Sequence, residues 1–210
     1  PPSEVVTIDA TKRFQTIEAW EATAKMWEFD KKADRFDGSW LPLRDPILTA
    51  LILNGGISRL RLEIRSGAEN PVDWWSRFRA GQVGYRGFKA HFYEKLNDND
   101  DPRTLNPAGI QFAELDFRVE NLILPAMRIA ARHGKPMSFI LCYVDFMWTQ
   151  SKGTLSHARN PEEYAELIAA TYTHLKQKYG LTPDALEIIL EPDNSDDWRG
   201  RQIGEAIVAV

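Results

Sequence analysis

Hydrophobic positions along the chain alternate between short aliphatic runs and longer segments with helical spacing. The short runs predict strands at Gln15–Ala22, Ile57–Arg65, Met137–Asp145 and Ala185–Glu191. Because helical segments separate them, the pattern predicts a parallel sheet with right-handed crossovers. A further run, Val5–Ile8, predicts an extra strand, part of a possible accessory β element over residues 1–14.

The first two helices carry recognisable end signals. Asp45 and Pro46 predict an N-cap and a first-turn proline for a helix over Ile47–Asn54, which two glycines terminate. The second helix is predicted over Phe112–His133, again ending at a glycine. Pro125 lies inside it, so we expect a kink or a restart there.

The third helix has the strongest signal at its start. Residues 160–163 read Asn-Pro-Glu-Glu, the form of a capping box with proline in the first turn, and Gly180 predicts its end. One apolar face is predicted, formed by Tyr164, Leu167, Ile168, Thr171 and Leu175. A last amphipathic segment, Ile203–Val210, lacks a terminating Gly, Asn or Pro, so we expect the protein to continue beyond it.

The second predicted strand has an unusual alternation. Charged residues occupy every second position from Arg59 to Arg65, with Leu or Ile between them. Period two places all charges on one face. In an antiparallel strand that face would be half exposed. In a parallel strand covered by helices the charges would point into a barrel interior, and we favour this reading because the flanking helices require apolar contacts.

All seven tryptophans lie at or after the end of a predicted strand. In an α/β barrel, the loops that follow strands form one rim. Indole rings there could stack on sugar faces and donate one hydrogen bond each. Alternatively, tryptophans such as Trp74 and Trp75 could form small cores within long loops, since both belong to a long predicted insertion over Ser66–Gln111.

Composition narrows the choice of partners. The 210 residues are 43% hydrophobic, enough for one large domain, and the net charge of −4 comes without a basic stripe. We therefore expect neither nucleic acid nor an anionic membrane as partner. The four histidines have no shared metal-ligand spacing, and the acidic stretch Asn97–Pro102 lacks the spacing of an EF-hand loop. A solvated turn is the favoured reading of that stretch, and no metal or cofactor is expected.

The most informative position is Glu191. An aliphatic run ends there in a carboxylate, and Pro192 follows, which cannot continue a strand ladder. Glu191 is therefore predicted at the carboxyl end of a buried strand, where α/β barrels carry catalytic groups. A merely solvated strand end is the alternative.

Four segments resemble glycoside hydrolase clan A, most nearly family 30, a group of retaining (β/α)8 enzymes. Phe14–Trp20 is similar to the opening strand of the family, and Gly56–Leu62 is similar to its second strand. Asp145–Trp148 lies where the family has a Trp-rich loop. Leu190–Asp193 resembles the Asn-Glu-Pro-Asp segment that carries the general acid/base.

The resemblance implies a (β/α)8 TIM-barrel domain of which residues 1–210 form the first four βα units, a half barrel. It implies hydrolysis of a poly- or oligosaccharide, with Glu191 as general acid/base and Arg61 bonded to the nucleophile's carboxylate. Tyr143 and Trp148 would form the sugar subsite. The expected substrate-binding set is completed by Glu21, Asn194 and Trp198.

The same resemblance sets limits. The family nucleophile comes from the seventh strand, so the 210 residues alone are expected to be inactive and to need the rest of their barrel as a partner. An extracellular or periplasmic location is implied. Leu190 replaces the family Asn that bonds a sugar hydroxyl, which leaves a non-catalytic glycan-binding barrel as an alternative.

Overall fold

The computed structural model describes residues 5–17, 19–195 and 197–210. A parallel four-stranded sheet is the centre of the fold, with strand order β1-β4-β5-β6, and a small antiparallel pair, β2-β3, lies beside it. The strands are β1 (Trp20–Thr23), β2 (Phe29–Asp30), β3 (Arg35–Phe36), β4 (Ile57–Arg65), β5 (Ser138–Val144) and β6 (Leu186–Glu187).

Helices connect the parallel strands, as predicted. They are α1 (Arg44–Leu53), α2 (Trp74–Arg79), α3 (Tyr85–Ala90), α4 (Ala113–Arg118), α5 (Leu124–Arg132), α6 (Pro161–Tyr179) and α7 (Gly200–Ala209). The parallel α/β class is thereby confirmed. The described strands form an open sheet, and closure into a barrel stays a prediction.

Strand β4 begins and ends where the alternation predicts. Leu60, Leu62 and Ile64 are buried in the hydrophobic core. On the opposite face, Arg59 donates to Glu21 at 2.7 Å and Arg61 donates to Thr23 Oγ1 at 2.8 Å. The period-two alternation places these charged side chains on one face of β4, where they reach the neighbouring strand β1.

The outer strands are shorter than predicted, and the Val5–Ile8 strand is not formed. The apolar side chains of residues 5–8 are more than 80% exposed, so no sheet surface covers them. At the other edge, Tyr164 on α6 donates its hydroxyl to the carbonyl of Ile188 at 2.8 Å. The Ile188 carbonyl is thus engaged by a helix side chain, and the regular strand β6 ends one residue earlier, at Glu187.

The predicted second helix is interrupted, as Pro125 led us to expect. A π-helical turn over Val119–Ile123 separates α4 from α5, and Pro125 lies in the first turn of α5. Because proline has no N–H, the regular α-helical ladder cannot pass through this position. The wider turn lets the chain restart with the same core-facing side, on which Val119 and Ile123 are completely buried.

Helix α6 has the predicted buried face and ends at Gly180, whose φ of 69° is left-handed. The two predicted N-terminal side-chain caps, Asn160 for α6 and Asp45 for α1, are not formed. Asn160 occupies the N-cap position but donates to the Ser156 carbonyl instead of accepting from the helix. Helix α1 starts at Arg44, and Asp45 lies within its first turn, where it accepts from Arg44 Nε.

The aromatic residues of the 66–111 insertion pack into the main hydrophobic core. Trp75 is buried and packs against Phe78, Phe88 and Phe117 with ring centroids 5.2–5.9 Å apart. Trp74 stacks on His91 at 3.7 Å. Trp75 is therefore a core residue and Trp74 is partly buried against the core, both in helix α2 of the insertion, which favours the packing alternative that the sequence left open.

Candidate functional site

Glu191 lies beyond the carboxyl end of β6 in a strained conformation. Its φ of 48° and ψ of 67° are left-handed, although it is neither Gly nor Asn and precedes a proline. Such a backbone costs on the order of 1–3 kcal/mol and persists only where surrounding contacts hold it. The exposed carboxylate accepts a hydrogen bond from Asn194 Nδ2 at 2.7 Å. The two predicted site residues are thus in direct contact.

The loop after β5 is joined to the loop that carries Glu191. Met147 N–H donates to the Asn194 carbonyl at 3.0 Å, and Phe146 forms an isolated antiparallel bridge with Ser195. Trp148 follows directly and is 45% exposed. An indole surface and the Glu191 carboxylate therefore lie on two loops that are hydrogen-bonded to each other, at the predicted edge of the sheet.

Arg61 and Glu21 lie on the charged face of the sheet. Besides Thr23, Arg61 approaches Glu187 Oε2 at 3.7 Å, and its buried Nε has no hydrogen-bond partner among the described residues. Glu21 is engaged by Arg59. The contacts of Arg61 are thus with Thr23 and Glu187, whereas Glu191 contacts Asn194.

Tyr143 and Trp198 lie on the other face and are almost completely buried. The Tyr143 hydroxyl is 2.6 Å from His157 Nδ1, and Trp198 Nε1 donates to Asp145 Oδ2 at 3.1 Å. Burial raises the pKa of Tyr143 well above its usual value. This burial contradicts the prediction that either ring contacts a sugar. The parity of β5 explains it, because Tyr143 pairs in register with the core residue Ile64.

The carboxylate of Asp145, at the end of β5, accepts hydrogen bonds from residues in three parts of the chain. Ser66 Oγ and Lys95 Nζ donate to its Oδ1 at 2.8 and 2.6 Å, and Trp198 donates to Oδ2. All four residues are buried. Asp145 therefore anchors the loops behind the site and is not free to react.

Sequence reasoning missed a network of opposite charges at the carboxyl end of β4. Arg118 Nη2 is 3.0 Å from Glu28 Oε2, Arg118 Nη1 is 3.6 Å from Glu63 Oε2, and Arg65 Nη1 is 2.5 Å from Glu114 Oε1. Three carboxylates and three cations take part. We call this group the charge-balanced network: Lys25, Glu28, Glu63, Arg65, Glu114 and Arg118.

Its pKa values follow from this pairing. Burial raises the pKa of Glu28, and Arg118 offsets part of that rise. For Glu114, burial also acts upward, but Arg65 and Arg118 outweigh it and the pKa is lowered. The i, i+4 spacing of Glu114 and Arg118 was the available sequence signal. Their contacts with β4 depend on the fold.

Comparisons with protein-family models, with characterised proteins and with solved structures gave no significant match to this chain. The clan A resemblance therefore rests on the four segments quoted above. Within the described residues, no helix is both long and apolar enough to cross a membrane.

Proposed function

We propose that this chain belongs to a retaining β-glycosidase acting on a poly- or oligosaccharide, with Glu191 as the general acid/base. The observation that carries the proposal is the conformation of Glu191. A strained, non-glycine residue at the carboxyl edge of a parallel sheet presents an exposed carboxylate, and Asn194 fixes one of its oxygens. Strain of this kind clusters at functional sites.

The proposed chemistry uses Glu191 twice. As an acid it would protonate the glycosidic oxygen, and as a base it would then deprotonate the water that releases the sugar. Retention also needs a second carboxyl group roughly 5–5.5 Å away. The family nucleophile comes from a strand that has no counterpart in the four-stranded sheet, so this role stays unassigned.

Two further residues have proposed roles. The exposed Trp148 would stack on a sugar ring beside Glu191, since the two loops are hydrogen-bonded. Arg61 would bond the nucleophile's carboxylate, and its Nε, which has no partner within residues 5–17, 19–195 and 197–210, supports this. A polymeric substrate favours an extracellular or periplasmic location.

A non-catalytic glycan-binding barrel is the second candidate. Leu190, which stands where the family has Asn, is 9% exposed and packs in the core. Its side chain cannot bond a sugar hydroxyl. Trp148 and Asn194 would still bind a glycan without hydrolysis.

The test is hydrolysis of aryl β-glycosides by the longest folded form of the protein, beside its Glu191→Gln variant. We expect a loss of roughly 10²–10⁴-fold in turnover, the usual contribution of a general acid/base. Glu205→Gln, an exposed carboxylate on α7, is the matched control and should keep the wild-type rate. Equal rates for wild type and Glu191→Gln would refute the acid/base role. Glycan binding by Trp148 without any turnover would favour the second candidate.

A further inference from the structure

Three carboxylates from distant parts of the sequence meet beside α6. One oxygen each of Glu69, Asp98 and Glu163 lies within 4.8 Å of the others. Glu69 follows β4, Asp98 belongs to the loop of the insertion, and Glu163 lies in the first turn of α6. Glu166 lies about one turn further along α6, and one of its carboxylate oxygens is also buried without a hydrogen-bond partner among the described residues. We call these four residues the acidic cluster.

Each of the three carboxylates has one oxygen engaged by the protein. His157 Nε2 is 2.5 Å from Glu69 Oε2, and the Asn106 N–H donates to Asp98 Oδ2 at 2.5 Å. The side chain of Asn97 hydrogen-bonds the Glu163 carboxylate. These bonds fix the orientation of the carboxylates.

The remaining oxygens are buried and have no hydrogen-bond partner among the described residues. They are Glu69 Oε1, Asp98 Oδ1, Glu163 Oε2 and Glu166 Oε1. Glu69 and Glu163 are only 2% and 9% exposed. Buried carboxylates that face one another are costly unless a cation compensates them. The arrangement therefore requires either protons or a positive ion.

The surroundings hold these oxygens in place. The Tyr143 hydroxyl can donate to His157 Nδ1, which leaves the Nε2 proton to bond Glu69. Outer bonds of this kind orient metal-binding carboxylates. A Cβ on Gly109 would come within 2.3 Å of Asp98 Cβ, so only glycine permits this approach.

We propose that Glu69, Asp98 and Glu163 of the acidic cluster bind a calcium ion. The donors are carboxylate oxygens without thiolate or imidazole, which suits a hard cation and not zinc. Calcium accepts six to eight oxygens at 2.3–2.6 Å, so two ligands on opposite sides of the ion lie about 4.6–5.2 Å apart, a span that the separations within the cluster do not exceed. Bidentate carboxylates and water would complete the shell. Magnesium would require a stricter octahedron.

The ion would have a structural role independent of glycoside hydrolysis. It would join two parts of the 66–111 insertion, the turn that follows β4 and the loop that carries Asp98, to the first turn of α6. The Asn97–Pro102 stretch, expected from sequence to be a solvated turn, would then contribute Asp98 as a ligand. The sequence pattern alone did not predict this site because the other ligands lie outside this stretch.

The test uses the 210-residue chain after treatment with EGTA, titrated with CaCl2 by calorimetry and followed by thermal unfolding. We expect one binding event and a higher Tm with calcium, and a smaller response to MgCl2. Absence of both calcium binding and a Tm shift in wild type would overturn the proposal. An equal response to magnesium would overturn the assignment to calcium.

Two variants separate a ligand role from ordinary packing. Glu163→Gln and Asp98→Asn should each abolish or strongly weaken the calcium response. Because Glu163→Gln removes repulsion between carboxylates, it should also raise the Tm in EGTA. The same substitution would not raise the Tm if Glu163 belonged to a purely structural ion pair. Glu162→Gln and Asp100→Asn, exposed neighbours in the same elements, are the matched controls and should keep the response. A calcium-induced Tm shift retained by both ligand variants would refute the site.

Discussion

The charge-balanced network and the acidic cluster are both largely buried and both include residues at or just after the end of β4, but their charges are paired differently. In the network, carboxylates face guanidinium groups, as in the Arg118–Glu28 pair at 3.0 Å. In the acidic cluster, carboxylates face each other within 4.8 Å. The first arrangement is complete within the protein. The second requires protons or a ligand.

The pKa values of Glu114 in the network and Glu166 in the acidic cluster shift in opposite directions for this reason. In the network, Arg65 and Arg118 lower the pKa of Glu114 against the effect of burial. In the acidic cluster, burial and then Asp98 raise the pKa of Glu166 to about 7. Burial also raises the pKa of Glu163, and Glu69 adds to the rise. The sign of the neighbours, and not the number of charges, separates a packing motif from a candidate ion site.

The largest expected effect comes from breaking the balance of the network. Arg118→Met would leave Glu28, Glu63 and Glu114 without their shared guanidinium, which is only 1% exposed. Removing one partner of a buried ion pair costs about 3–5 kcal/mol. We expect a loss of this size in the free energy of unfolding, measured with urea at pH 7.

The matched control is Arg201→Met, which removes an exposed i, i+4 pair with Glu205. Its effect should stay below about 0.5 kcal/mol. If the two substitutions lowered the free energy of unfolding equally, the role of Arg118 in stabilising buried carboxylates would be refuted. A double variant, Arg118→Met with Glu28→Gln, should recover part of the lost stability because one orphaned carboxylate is removed.

A moderate effect is expected from pH in the acidic cluster without calcium. The folded pKa of Glu166 is about 7 against an ordinary 4.5, so the folded chain binds more protons than the unfolded chain between these values. The free energy of unfolding should therefore decrease as the pH rises from 4.5 to 7. Asp98, Glu163, Glu69 and Asp101 are the charged groups that maintain the shift.

Thermal unfolding in EGTA across this pH range measures the effect. Glu166→Gln should make the decrease shallower, and saturating calcium should do the same in wild type by replacing the proton. Glu162→Gln should behave as wild type. A pH profile identical in Glu166→Gln and wild type would contradict the shifted pKa.

The sequence predicted well those features that local pattern controls. Strand β4, the buried face of α6 and the interruption at Pro125 depend on period and on backbone chemistry. The short β6 was not predictable, because its end depends on a hydroxyl from α6 that bonds Ile188. Likewise, Val5–Ile8 has a strand pattern but no covering surface.

The site was predicted only in part. Glu191, Asn194 and Trp148 lie at one edge because the ends of parallel strands meet there. Tyr143 was assigned by resemblance, although the parity of β5 placed it with the core. The acidic cluster could not be found by spacing, since Glu69 and Glu163 are 94 positions apart and meet only through the fold.

The smallest effect concerns Lys25, the third cation of the network. Arg65 lowers its pKa to about 8, and desolvation of the ammonium group and Arg118 add to the shift. The folded chain thus disfavours the charged form, a penalty fully present below pH 8 and lost as the pH rises toward 10.5. Lys25→Met should therefore stabilise the protein at pH 7 but not at pH 10.

The gain should stay below about 1 kcal/mol, because the Lys25 side chain is solvent exposed and screened. Urea unfolding at the two pH values measures it, with Lys32→Met as an exposed control that should show no such difference. A larger gain at pH 10 than at pH 7 would contradict the lowered pKa. Equal numbers of positive and negative charges are therefore not sufficient to make every charge in the network favourable. The effect of Arg65 on the pKa of Lys25 is larger than the opposing effect of Glu63 or of Glu114, so Lys25 is not stabilised by its membership of the network.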